Sequence, residues 1–298
     1  MNIGYFDNWA SVFGVITQSI EVKPSGDGFR PRTRFSNFVN LNELCNLFGE
    51  VFDIAKTADM NLKLPAIQNG KPEMIICEKS PEQELQTDAG IERARRIEAK
   101  MVQPDEDNML AVCTYMTKVA LDARIIDPEA EEYDGGKVAL CAEKIIEINK
   151  ANPGTAQAVF CDTNTPKKDA FSVYQALRDR LVRSGEFTEN EIAFVHDAAN
   201  DKQRLAMFEK VNNAEIKIII GSTGKLGTGV NIQRKLSALH HLDAPYRPSE
   251  VEPIQRNFLS NFIIKIINQA CRRTYSKHQV SEYAHRQHLQ VREPQSAL

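Results

Sequence analysis

Residues 215–233 read EIKIIIGSTGKLGTGVNIQ, and this stretch decides the fold. Ile216, Ile218, Ile219 and Ile220 make a short β-branched apolar run, the pattern of a strand buried on both faces of a parallel sheet. A polar loop follows at once, with glycines at Gly221, Gly224, Gly227 and Gly229. Glycine lets backbone amides approach a phosphate closely and adopts positive φ without penalty. In open parallel α/β sheets ligands sit beyond the carboxyl ends of the strands, which is where this loop lies. It is not a Walker A loop, because the position that must be glycine is Ile219. Nor does G-x-G-x-x-G occur in the right order. The residues alone leave two readings, a glycine-rich turn or a loop that handles phosphate.

Outward from this stretch the chain alternates regularly. Lys137–Asn149 is expected to be helical, Gln157–Cys161 a strand, Ala170–Arg183 a helix, Ile192–His196 a strand and Asp201–Val211 a helix. After the Ile216–Ile220 strand, Ala238–Leu242 adds another. Strands separated by helices at this spacing mean βαβ units, hence a parallel, right-handed α/β sheet. Upstream, Met109–Ile126 and a charged helix from Ser80-Pro81 to about Met101 flank a break at Pro104–Asn108. Met74–Cys77 is a short strand after Lys71-Pro72, and Asn40–Ala55 is a helix with Asn40 and Glu43 at capping-box spacing. Phe6, Trp9 and Phe13 fall at helical spacing. The turn Ser25–Gly28 joins two strand-like pieces, the second carrying Arg30, Arg32 and Arg34 on one face. That face could meet phosphates or simply be solvated.

The 298 residues are 42% hydrophobic and 26% charged, an ordinary soluble globular balance. A net charge of −3 excludes a uniformly basic nucleic-acid binder but not a local basic groove. The six cysteines are scattered, with no C-x-x-C pair, and read as free thiols in a reducing compartment. No secretory signal or apolar segment of membrane-spanning length is present. A cytoplasmic location, with no membrane partner, is expected.

Three of the expected strands end in polar residues along one sheet edge: Asp162-Thr163-Asn164-Thr165-Pro166, His196-Asp197, and Ser222-Thr223 with the glycines. Hydroxyls and amides grouped in this way are what contacts to a nucleic-acid backbone use. Each cluster alone is also ordinary turn chemistry. His196 could serve as proton donor or metal ligand, or merely bond a neighbouring loop. His240 and His241 point to opposite faces of a strand, and the tail set Cys271, His278, His285 and His288 fits no standard zinc spacing. No nucleophile elbow, triad or carboxylate pair is legible.

The segments AVFCDTNTP, IAFVHDAANDKQRLAMFEKVNNAEIKIIIGSTGKLGTGVNIQ and LHHLDAPYRP resemble the second RecA-like lobe of superfamily-two helicases. More closely, they resemble Swi/Snf-type helicases of phages and mobile elements that are often joined to DNA methylases. FDNWASVFG, TRFSNFVNLNELCNLF, TADMNLKLP and DNMLAVCTYMTKVALDARIIDP extend the resemblance over about residues 5–252. The resemblance implies a RecA-like parallel sheet flanked by helices, preceded by a mostly helical inter-lobe segment. It implies a DNA-dependent ATPase motor with nucleotide held between two lobes. Carried over residue by residue, Gly227, Gly229 and Asn231 would approach the nucleotide phosphates. Ser222, Thr223, Lys225, Thr163 and Thr165 would face the DNA backbone.

Two departures stand against the full activity. The chain begins after the family's first lobe, so the Walker A lysine and the magnesium-binding acidic motif are missing. Where the family has a glutamine and then a glycine-arginine pair that supplies an arginine finger, this chain reads Pro253-Ile254-Gln255-Arg256-Asn257. Such a finger contributes roughly 10³–10⁵ in rate where it is used. The expected organisation is an inter-lobe extension over 1–80, a helical linker over 81–135, the RecA-like lobe over 136–252 and a divergent basic tail over 253–298 that did not evolve with the fold. The expected function is the C-terminal half of an ATP-dependent DNA helicase or translocase, inactive as an ATPase alone. ATP and magnesium would be bound only with a first lobe supplied in trans, and the expected partners are DNA, that lobe or a methylase. The rival readings are a non-enzymatic DNA- or partner-binding module, and an α/β enzyme of another class holding a nucleotide or S-adenosylmethionine in the glycine loop.

Overall fold

Residues 4–23, 28–52, 72–167, 170–227, 230–243 and 262–268 are described by the computed structural model. They fall into two compact units, Met1–Lys63 and Leu64–Leu298. In the first unit α1 (Phe6–Phe13) runs into β1 (Gly14–Val22), which pairs antiparallel with β2 (Phe29–Phe38), and α2 (Leu41–Gly49) follows. Trp9 gathers Phe13, Phe35 and Phe38 around it at 5.9–6.1 Å between ring centroids. Such ring pairs supply about 0.5–1.5 kcal/mol each beyond area burial, which a two-stranded hairpin needs. The expected capping role of Asn40 is corrected. Its backbone is left-handed, with φ 50°, and its side-chain amide donates to the Val12 carbonyl at 2.7 Å instead of accepting from α2.

The second unit begins with β3 (Glu73–Cys77) and α3 (Pro81–Glu98), whose Ser80 and Gln83 form a reciprocal capping box. Gly90 lets α3 close onto α4 (Met109–Leu121): a Cβ there would lie 2.3 Å from the Met116 sulfur. The single helix expected over 109–126 is two pieces. Asp122 is extended (φ −161°), and its carboxylate accepts from the Arg124 amide and guanidinium, starting a 3-10 turn over Ala123–Ile125. Glu132, in the acidic stretch that follows, takes ion pairs from both Arg180 and Arg183.

The remaining elements are α5 (Lys137–Ala151), β4 (Ala156–Phe160), α6 (Val173–Arg183), β5 (Ile192–Phe194), α7 (Asp201–Asn212), β6 (Ile218–Gly221), α8 (Thr223–Leu226), β7 (Leu236–His241) and β8 (Phe262–Asn268). Six strands form one all-parallel sheet in the order β3-β8-β7-β4-β6-β5. The isoleucine run explains its two-sided core. Ile218 and Ile220 join one apolar layer with residues of α5 and α6, and Ile219 joins another with Phe208 and Val211 of α7. All three are fully buried, worth about 1.5–3 kcal/mol each. Expectation and structure part at Phe262–Asn268. Read as part of a tail foreign to the fold, these residues are an inner strand between β3 and β7. The rest of 253–298 lies outside the described residues. Among the described residues no helix is long and apolar enough to cross a membrane.

Candidate nucleic-acid interface at the carboxyl edge of the sheet

Because β7, β4, β6 and β5 are parallel neighbours, their carboxyl ends bring four polar segments side by side. In order these are Asp243, Asp162–Thr165, Ser222–Lys225 and His196-Asp197. The segments are cross-linked rather than merely adjacent. Asp162 accepts from the Thr223 amide at 2.7 Å and from the Thr223 hydroxyl at 2.6 Å. Asp243 in turn accepts from the Asp162 amide at 2.9 Å and the Thr163 amide at 2.6 Å. Two carboxylates therefore fix three consecutive strand ends. The Tyr174 hydroxyl donates to the Cys161 carbonyl at 2.6 Å, and Lys137 Nζ donates to the Leu242 carbonyl at 3.2 Å. Asn164 bridges to the start of α6, accepting from the Val173 amide at 2.7 Å.

Burial raises the pKa of the Asp243 carboxyl, opposed by the hydrogen bonds from Thr163 and Asp162. The same burial pushes the Tyr174 hydroxyl and the Cys161 thiol up, so both stay neutral donors. His196 is half-buried, edge-on to Tyr174 at 5.5 Å, and its Nδ1 has no partner among the described residues. Burial and then the Lys225 charge lower its pKa, which makes it a neutral imidazole at pH 7. It sits in a 3-10 turn over Val195–Asp197 because β5 stops at Phe194, two residues short of the expected end.

The expected contact residues are distributed unevenly. Thr163, Thr165, Ser222 and Thr223 are half-buried along the edge, and Lys225 is exposed. Thr223 spends its amide and hydroxyl on Asp162, so it holds the turn in shape. Gly221 is needed for packing, since a Cβ there would lie 3.0 Å from Leu226 and 3.1 Å from Val195. A Cβ at Gly224 would meet nothing within 4 Å, which leaves the backbone there open to an approaching group. Gly227 is buried at the end of α8, and Gly229 lies outside the described residues. Asn231 is exposed, its carbonyl held by the Asn212 side chain at 2.9 Å. Among the described residues no cluster of His, Cys, Asp and Glu could hold a metal ion. Sequence reasoning missed Asp243 as a positioning group. Its signal was the Leu242-Asp243 step at the end of an apolar strand, opposite Asp162-Thr163 in a parallel register.

No protein-family model matches the chain, and no curated protein matches it either. Solved structures do. The Sulfolobus solfataricus SWI2/SNF2 ATPase core domain superposes with a TM-score of 0.50 at 15% identity, covering 87% of this chain and 51% of that one. The fold is a RecA-like parallel α/β sheet flanked by helices. The C-terminal domain of the same ATPase matches with a TM-score of 0.46 at 17% identity, over 69% of this chain and 87% of that one. Its core in complex with double-stranded DNA matches with a TM-score of 0.47 at 18% identity, over 76% and 47%. This chain spans about half the length of the SWI2/SNF2 core.

Proposed function

We propose that this chain is the second lobe of a DNA translocase of the Swi/Snf type, from the methylase-associated phage and mobile-element group. Its carboxyl edge grips the DNA backbone through Thr163, Thr165, Ser222 and Lys225, on a turn whose shape Thr223 holds. Hydroxyls, amides and one lysine bind phosphates without reading bases, as a translocating motor requires. The observation that carries the reading is the Asp162–Thr223 link, which joins the β4 and β6 turns into one rigid surface.

Gly227, Gly229 and Asn231 are assigned to the nucleotide phosphates. The residues present do not fit a whole nucleotide by themselves. The glycine loop lacks the Walker A pattern, and among the described residues no acidic cluster suits magnesium. No hydrolytic step is therefore assigned to this chain. ATP and magnesium are held only together with a first lobe. The test measures retention of a DNA duplex together with DNA-stimulated ATP turnover. Salt-sensitive binding that weakens in Lys225→Ala, with no turnover, is the expected result. Turnover by the purified chain, or no DNA binding at low salt, overturns the reading. Retention indifferent to an added first lobe would favour a non-enzymatic DNA-binding module derived from a helicase.

A further inference from the structure

The β1–β2 hairpin of the first unit carries a charge pattern of its own. Register sets Arg34 opposite Thr17, Arg32 opposite Ser19 and Arg30 opposite Glu21. Alternate residues of a strand share a face about 6.8 Å apart, so the three arginines leave the strand along one line beside two hydroxyls, and Arg34 reaches back toward the Arg30 end to meet Glu21. The other face is apolar, with Ile16, Ile20 and Phe29 exposed at 67, 74 and 70%. Arg34 is held by Glu21, with Nη2 2.9 Å from Oε2. Arg32 is exposed, and the Arg30 Nε is buried with no partner among the described residues. Three cations thus share a face with one carboxylate. With Glu21 taken by Arg34, Arg32 and Arg30 are left with positive charge that an outside anion could meet.

We propose that this face, through Arg30 and Arg32 with the Thr17 and Ser19 hydroxyls, is a second DNA-backbone contact, separate from the sheet edge. The anion's identity rests on the DNA reading above. A guanidinium fork matches a phosphate bidentately. Duplex DNA carries a charge every ~1.7 Å of axis, so two arginines about 6.8 Å apart along a strand meet phosphates whatever the sequence. Hydroxyls beside arginines complete the kind of set that contacts phosphate and sugar.

The experiment follows fluorescence anisotropy of a short fluorescein-labelled DNA duplex bound by the full chain across a salt series. Each phosphate contact contributes about 0.9 to the slope of log K against log salt. The double variant Arg30→Gln/Arg32→Gln should lose roughly 1.8 of that slope, and Lys225→Ala about 0.9 independently. Arg30→Lys/Arg32→Lys should keep the slope, which separates lost charge from lost folding. If the glutamine pair leaves the slope intact while Lys225→Ala lowers it, the hairpin contact is wrong and the sheet edge stands. If the wild-type chain binds no duplex, both fall. Competition by polyglutamate as strong as by unlabelled duplex overturns DNA as the occupant.

Discussion

Thr223 gives Asp162 two hydrogen bonds, one from its backbone amide to Oδ1 at 2.7 Å and one from its hydroxyl to Oδ2 at 2.6 Å. The pair spans 61 positions of sequence and fastens the turn after β4 to the start of α8. Hydrogen bonds to a charged group contribute about 1.5–3 kcal/mol. Asp162→Ala should therefore lower the unfolding free energy by ~2 kcal/mol in urea titration, on that scale. It should also weaken DNA binding without altering its salt slope, because no cation is removed. Thr223→Val keeps the amide bond and should cost less on both counts.

Two neighbouring glycines should respond in opposite ways. At Gly221 an added methyl meets Leu226 and Val195 at 3.0 and 3.1 Å, so Gly221→Ala overpacks a closed site and should cost about 1–3 kcal/mol. Gly224 has open space around it, and Gly224→Ala gains helix propensity of up to ~1 kcal/mol. Thermal melts should show the first variant falling and the second level or rising. Weaker duplex retention by a fully folded Gly224→Ala would place a phosphate against that backbone.

His240 predicts the response to acid. It is fully buried, with Nε2 2.8 Å from the Gln157 amide oxygen, while Gln157 donates to the Ile145 carbonyl at 2.9 Å. Burial, then His241 and Lys144, hold its pKa down at about 3. The folded chain therefore takes no proton there while the unfolded chain takes one near its usual ~6.5. Stability from this group is complete above that pH and is lost on acidification at ~1.4 kcal/mol per pH unit. Urea midpoints at pH 7, 6 and 5 should fall less steeply in His240→Gln than in the wild type. Parallel curves would contradict the assignment.

A fourth stability test concerns Asp243. Its pKa is raised by burial, so keeping it ionised costs folding energy, and that cost grows as pH rises through its folded value. Asp243→Asn should leave the folded state at least as stable at pH 7 while loosening the Thr163 turn. Amide exchange at Asp162 and Thr163, whose N–H groups it accepts, should quicken.

The sheet's central strands were legible because their residues are apolar on both faces. Ile218–Ile220 and Ala156–Phe160 need no knowledge of partners to be read as strands. The polar strand ends were legible as a group, since a parallel sheet forces them to one edge. What each does there was not. Asp162 and Asp243 look like turn formers in sequence, and only the register shows which amides they face. Asn40 failed as a cap because its side chain found the Val12 carbonyl, a choice fixed by the path of α1 and β1. Phe262–Asn268 was hidden by its setting, an apolar run beside a basic stretch with no helix pattern to announce a crossover.

That strand carries a consequence for synthesis. Among the described residues β3 pairs with β8 alone, Glu73 lying opposite Ile264, and β8 is also what covers the free side of β7. A nascent chain can assemble β4 to β7 as they emerge, but β3 must wait, unzipped, for β8, which is made after all of them. Until then Leu236–His241, buried along its whole length in the finished fold, presents a bare hydrogen-bonding flank that invites other chains. A chain stopped before Phe262 should accordingly sediment as aggregate rather than as a smaller native particle.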